Sequence, residues 1–369
     1  MSPAPPDSAR AWAEVDLSAI LHNLRIARQE GRHPDTMAVV KADAYGHGLL
    51  QVAHALDDQN LAYFGVANVV EARRLFEAGI QTPPYILGAT MPSERAEIVA
   101  RRWTPCLCSF EEIDHFESLG KITAHLALDT GMGRGGFLPH QLPEVRERLR
   151  QSEKITLTGI GSHLPVADED AIFTHTQFTS FREAAATFQE FQSPQAPFHL
   201  HLPNSAGLLA YDKDISNLAR PGLMLYGASP LPEWQEKLRP AMSLKARVTL
   251  IHELPAGHGV SYGRSLLPRD TRTAVIGIGY GDGYPRALSG KGTTVSLHHQ
   301  TCPILGRVTM DQLIVDVTHL PDCRPGDVAT LFGPPPAPLV TDLAQKAQTI
   351  PWELLVQITP RVQRIYHSR

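Results

Sequence analysis

Two patterns of hydrophobic positions alternate along the first 240 residues of the chain. Segments with helical periodicity, such as DLSAILHNLRIARQEG, VVEARRLFEAG and FTSFREAAATFQEFQ, are separated by short apolar runs that are typical of buried strands. There are eight such runs: MAVVKAD, YFGVAN, PYILGAT, PCLCS, ITAHLALD, LTGIGSHL, FHLHLPN and PGLMLYG. Because strand–helix alternation favours parallel strands joined by crossover helices, eight units predict an α/β fold of the (β/α)8, TIM-type barrel kind.

A doubly wound open sheet is the alternative arrangement for the same alternation. Such a sheet more often carries a glycine-rich phosphate loop directly after its first strand. The segment that follows the first apolar run here is KADAYGHG, which does not have that pattern. The barrel is therefore the favoured interpretation.

The pattern changes near Pro240. The segments SLKARVTLIHEL, TRTAVIGIGYGDG, GTTVSLHHQTCPIL, QLIVDVTHL and DVATLFG are β-rich and separated by turn signals, and the long helical pattern among them is VTDLAQKAQTIPWELL. The sequence thus predicts two domains, a barrel over residues 1–240 and a mainly β domain over residues 241–369.

The charge balance argues against nucleic acid or membrane partners. Lys and Arg number 34 against 38 Asp and Glu, for a net charge of −4, so no strongly basic field is expected. No apolar run reaches membrane-spanning length, and MSPAPPDSAR lacks the basic start and apolar stretch of a secretory signal. Four cysteines in 369 residues suit a reducing cytoplasm better than a disulfide framework. We expect a cytoplasmic protein with a small-molecule partner.

Neither of the two obvious sulfur and imidazole pairs predicts a metal site. Cys106 and Cys108 have the wrong spacing for a zinc knuckle and are expected as two thiols on a buried strand. His298 and His299 are expected on opposite faces of a strand, where they could not share a metal.

Lys41 ends the first apolar run, and in a barrel this position faces the active site. A partly desolvated lysine loses its proton more easily, and its neutral amine can form a Schiff base with an aldehyde. For a lone lysine, an ordinary surface position at a strand end is favoured by roughly ten to one, because reactive lysines are rare.

Other polar residues at run ends change that balance. LDTGMGRGG, after the fifth run, combines glycines with an arginine that suits a carboxylate; a glycine-rich turn with a solvated arginine is the equal alternative. Serine at the start of a helix can cap it or bind phosphate. Polar residues at the expected catalytic rim are Lys41, Arg134, His163, Ser205 and Arg220. Together they indicate a carbonyl cofactor with a phosphate tail.

Tyr262 lies on a glycine-flanked loop, GVSYGR, in the predicted β domain. A buried tyrosine with a hydrogen-bonded hydroxyl is the ordinary interpretation. The alternative is an acid/base group, if a nearby cation lowers its pKa.

Taken together, these motifs resemble those of the alanine racemases, which are pyridoxal-phosphate enzymes with a barrel and a β domain. The resemblance covers almost the whole chain. It rests on WAEVDLSAILHNL, AVVKADAYGHG, LDTGMGRGG, SHLPVADE, HLPNSAG, ARPGLMLYG, VSYGR, GYGDGYPR, GRVTMDQ and RVQRIY, which occur in the family's order.

The resemblance implies a two-base mechanism. Lys41 would hold the cofactor covalently and act as one base, and Tyr262, reaching across a homodimer interface, would act on the opposite face of the substrate. Arg220 would face the pyridine nitrogen and keep it unprotonated, since an arginine does not give up its proton. His163 would link Arg220 to Tyr262, where positive charge would help depress the tyrosine pKa.

The resemblance also implies the remaining contacts. The cofactor would be bound, besides Lys41, His163 and Arg220, by Tyr45, Asn204, Ser205, the amides of Gly222 and Leu223, and Trp352. The substrate would be bound by Arg134, the Met310 amide and, lining the site, Asp311. Tyr280 and Arg307 look like members of the gate at the mouth of the site. No metal is implied.

Two positions depart from the family pattern. Many members carry a carbamylated lysine where this chain has Ala127, and we expect Arg134 to be held instead by another acidic group, a bound anion or water. Trp352 replaces a tyrosine whose hydroxyl reaches the phosphate; its indole could donate to the phosphate or narrow the pocket.

The expected activity is alanine racemisation supplying D-alanine for peptidoglycan. A racemase with broader or shifted specificity, for example toward serine, is the neighbouring alternative, since a pocket discriminates one methylene only modestly. Barrel-fold amino-acid decarboxylases share the architecture but lack the VSYGR tyrosine. A pyridoxal-phosphate carrier would be a barrel alone.

Overall fold

The computed structural model describes residues 8–32, 35–192, 197–211 and 215–368. The first seven residues of the MSPAPPDSAR segment lie outside these ranges, so the expectation about a secretory signal falls there. The described chain begins with strand β1 (Ala11–Asp16), which leads directly into helix α1 (Leu17–Gly31). The Asp16 carboxylate caps this helix by accepting from the amides of Ser18 and Ala19.

Eight parallel strands form a nearly closed barrel, which confirms the predicted fold class. Their hydrogen-bonded order is β8-β7-β6-β5-β4-β3-β2-β9. The two end strands approach each other through Asn217, whose amide donates to the Leu200 carbonyl at 3.0 Å while its side chain accepts from the Leu200 amide at 2.8 Å. The barrel strands are β2 (Asp35–Val39), β3 (Tyr63–Val66), β4 (Pro84–Ile86), β5 (Thr104–Leu107), β6 (Ile122–Ala127), β7 (Ile155–Gly161), β8 (His199–His201) and β9 (Leu218–Ala219).

Helices connect the barrel strands, and four of them begin at a polar side chain that accepts from a first-turn amide. Asn68, Ser109, Asp170 and Asn204 provide such caps. The helical segments of this half are α2 (Lys41–Tyr45, a left-handed turn), α3 (Leu49–Asp57), α4 (Val69–Glu77), α5 (Pro92–Arg101), α6 (Phe110–Leu119), α7 (Leu142–Gln151), α8 (Ala171–Ala186), α9 (Ser205–Ala210), and the 3-10 turns Pro139–Gln141, Gln189–Phe191, Leu223–Tyr226 and Pro232–Lys237.

One predicted strand is wrong. The eighth apolar run, PGLMLYG, is a 3-10 turn over Leu223–Tyr226, and the eighth barrel strand is the pair Leu218–Ala219 just before it. All four residues of the turn are buried. Their apolar character therefore reflects burial on every side rather than strand pairing.

The second domain is built around an eight-stranded sheet of order β13-β16-β15-β14-β17-β10-β1-β18, in which β10 also pairs with β13. Its strands are β10 (Met242–Leu254), β11 (Gly259–Val260), β12 (Ser265–Leu266), β13 (Thr271–Ile276), β14 (Thr294–Leu297), β15 (Gln300–Leu305), β16 (Leu313–Asp316), β17 (Val328–Phe332) and β18 (Gln363–His367). Its helical segments are α10 (Val340–Ala347), α11 (Pro351–Val356) and the 3-10 turns Tyr280–Asp282 and Arg286–Leu288.

The first strand of the chain belongs to this second sheet. Strand β1 pairs antiparallel with β10 and parallel with β18. A boundary at residue 240 would separate β1 from the sheet in which it lies. The cause is long-range pairing, which local periodicity does not carry.

The prediction that His298 and His299 lie on a strand is also wrong. Both are in the turn between β14 and β15, with φ of 50° and 61°, and both are exposed. In the described residues, no group of three or more metal-binding side chains is found. None of the helices in the described ranges is both long and apolar enough to cross a bilayer.

Candidate active site

A cavity of about 650 Å³ opens at the carboxyl ends of the barrel strands, where barrel chemistry is usually located. It is lined by residues from most strand ends and by α11 of the second domain. The predicted residues on its wall are Lys41, Tyr45, Arg134, His163, Asn204, Ser205, Arg220, Gly222, Leu223 and Trp352. The structure thus brings ten of the predicted side chains and backbone positions to one cavity.

Lys41 does not end the strand but opens the turn after it. Strand β2 stops at Val39, and the residues from Ala42 to Tyr45 all have φ between 53° and 54°. Four successive non-glycine residues in the left-handed region are strained, because each costs about 1–2 kcal/mol relative to the right-handed region. The Glu71 carboxylate holds this turn by accepting from the amides of Ala42 at 2.7 Å and Ala67 at 2.8 Å.

The electrostatics around Lys41 favour its neutral form. Burial lowers the pKa of the Lys41 amine, and the positive charges of Arg134 and Arg220 lower it further, against an opposing effect of Glu71. A lysine of this kind is more nucleophilic at neutral pH than a solvated one.

Ser205, Gly222 and Tyr45 form a compact polar pocket at one end of the cavity. The Ser205 hydroxyl accepts from the amides of Gly222 at 3.1 Å and Met224 at 3.3 Å. A Cβ atom on Gly222 would lie 2.5 Å from the Tyr45 hydroxyl, so only glycine permits this approach. The Trp352 indole lies beside the Tyr45 hydroxyl and opposes the rise in the pKa of that group. The pocket therefore combines neutral donors at the start of a helix.

Tyr45 is fixed by stacking. Its ring lies 4.7 Å from that of Tyr226, whose hydroxyl donates to the Val39 carbonyl at 2.9 Å. Burial raises the pKa of Tyr45 to about 12, so its hydroxyl remains a donor over the physiological pH range.

Arg220 is a buried guanidinium on the cavity wall. One terminal nitrogen, Nη2, donates to the carbonyls of Ser162 at 2.5 Å and Leu202 at 2.8 Å. Its Nε is buried without a hydrogen-bond partner among the described residues. Burial lowers the Arg220 pKa, but from so high a value that the group stays charged. Arg220 is thus a fixed guanidinium whose Nε can still donate.

His163 and Arg134 complete the polar wall. Burial lowers the pKa of His163 to about 3, and the charges of Arg220, Arg134 and Lys41 add to this effect. The ring is therefore neutral at pH 7. Within the described residues, Arg134 forms no ion pair or hydrogen bond. We expected an acidic group to hold Arg134 in place of the carbamylated lysine that many family members carry at the position of Ala127. No such group contacts Arg134 among the described residues.

The polar interior beneath this wall was not predicted from the sequence. His125 Nδ1 lies 2.9 Å from His201 Nε2, and the Tyr85 ring packs at a tilt against His125 and edge-on against His201. Burial lowers the pKa of both histidines well below the usual value. Alternation along ITAHLA and HLH could have signalled inward-facing histidines, because successive strand residues point to opposite faces.

Three predicted residues lie elsewhere in the same chain. Tyr262, Met310 and Asp311 line a separate cavity of about 750 Å³ in the β domain, together with Arg361. Tyr262 is 69% exposed and Met310 is 52% exposed. Arg361 donates to the Asp311 carboxylate at 2.8 Å. Within one chain the structure does not bring these residues to Lys41.

The two predicted gate residues are near the Tyr262 loop. Tyr280 is 39% exposed, and Arg307 is exposed beneath Gly263, whose added Cβ would lie 2.8 Å from the guanidinium carbon. Both thus belong to the β-domain surface rather than to the barrel cavity.

Both halves of the chain are similar to known proteins of one family. Residues 15–230 match the family model described as alanine racemase, N-terminal domain, and residues 241–366 match the one described as alanine racemase, C-terminal domain. Curated alanine racemases from Methylacidiphilum infernorum and Nostoc are 34% and 37% identical to this chain. The first alignment covers 98% of this chain and 94% of the relative, and the second covers 97% and 96%.

Solved structures are similar at the level of the backbone. The alanine racemase from Streptomyces coelicolor has a TM-score of 0.90 and 32% identity, with 98% of this chain and 99% of that one covered. The biosynthetic alanine racemase from Pseudomonas aeruginosa has a TM-score of 0.87 and 34% identity, with coverage of 97% and 99%.

Proposed function

Because the chain belongs to the alanine racemase family, a family of isomerases, we propose that it interconverts L- and D-alanine with pyridoxal 5′-phosphate and supplies D-alanine for peptidoglycan. The observation that carries this proposal is the placement of Lys41, with its lowered pKa, on the same cavity as Arg220 and the Ser205–Gly222 pocket. We further infer a cytoplasmic homodimer that acts on a small amino acid.

The residues present fit this cofactor. The Ser205 hydroxyl, the Gly222 and Leu223 amides and the Tyr45 hydroxyl would receive its phosphate, with Asn204 and Trp352 beside them. The unpartnered Nε of buried Arg220 supplies a donor for the pyridine nitrogen. The Lys41 amine would bind the aldehyde carbon. When bound, the cofactor withdraws electrons from the substrate and thereby acidifies its Cα–H bond.

Arg220 would restrict the chemistry of the cofactor's pyridine ring. Because a guanidinium does not transfer its proton at neutral pH, it donates a hydrogen bond and leaves the ring nitrogen unprotonated. The cofactor is then a restrained electron sink, which disfavours side reactions such as transamination.

Two bases on opposite sides of the substrate account for racemisation. Lys41 Nζ would take or return the proton on one face, and the Tyr262 hydroxyl of a second copy would act on the other. The exposure of Tyr262 and its distance from the barrel cavity of its own chain support a contribution across an interface. His163, which is neutral here, would lie between Arg220 and that tyrosine.

The substrate carboxylate needs a cation that has no other partner. Arg134 meets this condition among the described residues. Met310 and Asp311 lie beside Tyr262, so a second copy would bring the Met310 amide to the same carboxylate and would place Asp311 in the lining of the site. Tyr280 and Arg307, near the same loop, would form the gate at the mouth of the site.

A direct assay tests the proposal. The purified protein with cofactor is incubated separately with L-alanine, L-serine and L-lysine, and the D-isomers are measured. We expect D-alanine as the main product; D-serine at a comparable rate would instead indicate the broader racemase. Absence of D-alanine would refute the main claim.

A Lys41→Ala variant provides the matched control. We expect it to lose racemase activity by about 10²–10⁴-fold, as is usual on removal of an acid/base group. It should also lose the cofactor that borohydride fixes to the wild-type chain at Lys41. Retention of that fixed cofactor would show that the lysine assignment is wrong.

A further inference from the structure

Cys106 and Cys108 share one wall of the barrel cavity. Cys106 lies on strand β5, and Cys108 follows the end of that strand. Leu107, between them, points to the opposite side and is fully buried. Because residues two apart on a strand face the same way, both thiols point inward.

The two thiols are close enough to react with each other. The Cys108 thiol donates to the Cys106 carbonyl oxygen at 3.4 Å. Residues two apart on a strand have Cα atoms about 6.6 Å apart, within the range of about 4.4–6.8 Å that disulfides span. Cys108 lies beyond the last sheet residue, so its backbone can turn toward Cys106 without breaking a strand pairing.

Their surroundings separate the two roles that disulfide formation needs. The neighbouring Cys108 thiol lowers the pKa of Cys106, against the opposing effect of burial. The pKa of Cys108 is raised, because its proton is shared with Cys106 and the group is buried. Cys106 is therefore the nucleophile and Cys108 the resolving thiol.

This pair lies where the chain departs from its family. Cys106 packs with Ala127 and Tyr85, and Cys108 contacts the same cluster. A Cβ atom on Gly135 would lie 3.9 Å from the Cys108 sulfur, so the thiol lies beneath the loop that carries Arg134. Because Arg134 has no hydrogen bond in the described chain, a displacement of this loop by the thiol pair would move Arg134 without breaking one.

We propose that Cys106 and Cys108 form a dithiol site that a peroxide converts into an intrachain disulfide, and that the disulfide weakens carboxylate binding at Arg134. The second half of this inference rests on the proposed function, in which Arg134 binds the substrate carboxylate. The first half does not.

The chemistry balances with hydrogen peroxide as the oxidant. The Cys106 thiolate attacks one peroxide oxygen, the O–O bond breaks, and the departing hydroxide takes a proton to become water, which leaves a sulfenic acid. The Cys108 sulfur then attacks the Cys106 sulfur, the S–O bond breaks, and a second water departs with the Cys108 proton. Two thiols and one peroxide thus give one disulfide and two waters.

Thiol counting on the holoenzyme tests the first half. The protein is treated with peroxide, denatured and alkylated, and its peptides are analysed by mass spectrometry. We expect two alkylated cysteines in place of four, with a disulfide joining Cys106 to Cys108. Cys302 and Cys323 are internal controls, because burial raises the pKa of both thiols and both are almost fully buried. Four free thiols after treatment would overturn the proposal.

Kinetics and variants test the second half. Oxidation should raise the KM for L-alanine by about tenfold, the size expected for a weakened charge-assisted contact, with a smaller change in kcat, and a reductant should reverse it. Cys108→Ser should show no such reversible rise and should accumulate a sulfenic acid at Cys106 that dimedone traps. Cys323→Ser should behave as wild type.

Two outcomes separate this inference from the proposed function. If the protein forms the disulfide but has no racemase activity, calorimetry with acetate measures carboxylate binding directly, and the disulfide should weaken it. If Cys108→Ser shows the same reversible rise in KM as wild type, the disulfide is not its cause and the inference fails.

Discussion

At the scale of single residues, the barrel cavity is lined by three basic side chains, although Asp168 and Glu169 also lie on its wall. Lys41, Arg134 and Arg220 face it, and no described carboxylate forms an ion pair with any of them. This arrangement lowers the pKa of Lys41 and His163 and favours anionic groups in the cavity. A ligand with both a phosphate and a carboxylate end matches these charges.

Trp352 is expected to contribute to cofactor retention through Tyr45. Trp352→Phe removes the indole N–H beside the Tyr45 hydroxyl, and one hydrogen bond from such a donor is worth about 1 kcal/mol. We predict an increase of about fivefold in the Kd for pyridoxal phosphate, measured by absorbance titration. Trp352→Tyr, which supplies a hydroxyl donor in place of the indole N–H, should stay closer to wild type. An unchanged Kd in the phenylalanine variant would contradict this role.

His47, which had no role in the sequence analysis, supports the turn that carries Lys41. Its Nδ1 lies 2.9 Å from the Tyr45 carbonyl and 3.1 Å from that of Ala44. Burial lowers the pKa of His47 to about 4, despite these hydrogen bonds. The folded state therefore binds fewer protons than the unfolded state between about pH 4 and pH 6.5, so stability rises with pH through this window.

We predict that His47→Asn, which keeps a donor but does not titrate, removes this part of the pH dependence. The wild type should lose about 3 kcal/mol more than the variant between pH 7 and pH 4. Urea unfolding at fixed protein and cofactor concentrations measures the difference. A difference between the two proteins that does not change with pH would rule out the buried neutral histidine.

At the scale of elements, the left-handed turn α2 is the part of the barrel that local preference does not explain. Glu71, on helix α4, accepts from the Ala42 amide in α2 and from the Ala67 amide just after β3, and so connects the two segments. Asp43 adds a second connection by accepting from the Leu49 amide at 3.1 Å and from Arg74 at 3.1 Å. Helix α4 thus fixes the turn from outside.

Glu71→Ala should loosen this turn. We predict a loss of about 1–2 kcal/mol in unfolding free energy, since two amides lose a charged acceptor at a partly solvated position. Cofactor occupancy, measured by absorbance after dialysis, should fall as well because Lys41 opens the turn. Glu77→Ala on the same helix is the surface control. Equal stability and occupancy in the two variants would show that the turn does not depend on Glu71.

At the scale of the whole molecule, the predicted catalytic residues are divided between two cavities. Lys41 lies in the barrel cavity, and Tyr262 lies in the cavity of the β domain. If two copies associate with the β domain of each over the barrel of the other, each site takes one base from each chain. The closed symmetry usual for homodimers would produce two such sites.

Mixing two inactive variants tests this division. Lys41→Ala and Tyr262→Phe homodimers should each be nearly inactive, but a mixed dimer would contain one complete site. After unfolding and refolding of an equal mixture, we predict recovery of about a quarter of wild-type activity, because half of the dimers are mixed and each has one working site. Activity no higher than that of the separate variants would place both bases in one chain.

The sequence by itself determined the α/β barrel, the following β domain and ten residues of one cavity. Periodicity and strand-end position carry this information, because burial pattern and fold geometry are local consequences of residue type and spacing. Family resemblance added the expected roles. The packing of Cys106 and Cys108 against Ala127 was not predicted, although both thiols were placed on the strand.

Only the tertiary structure decided the features that depend on distant segments. Strand β1 lies in the sheet of the second domain, paired with strands more than 200 residues away, and local periodicity does not encode such pairing. The PGLMLYG segment is buried on all sides, so its apolar pattern did not distinguish a turn from a strand. The left-handed turn at Lys41 exists because Glu71 and His47 hold it. The lowered pKa values of Lys41 and His163 follow from burial and from charges that folding brings together. Neither cause can be derived from the order of residues alone.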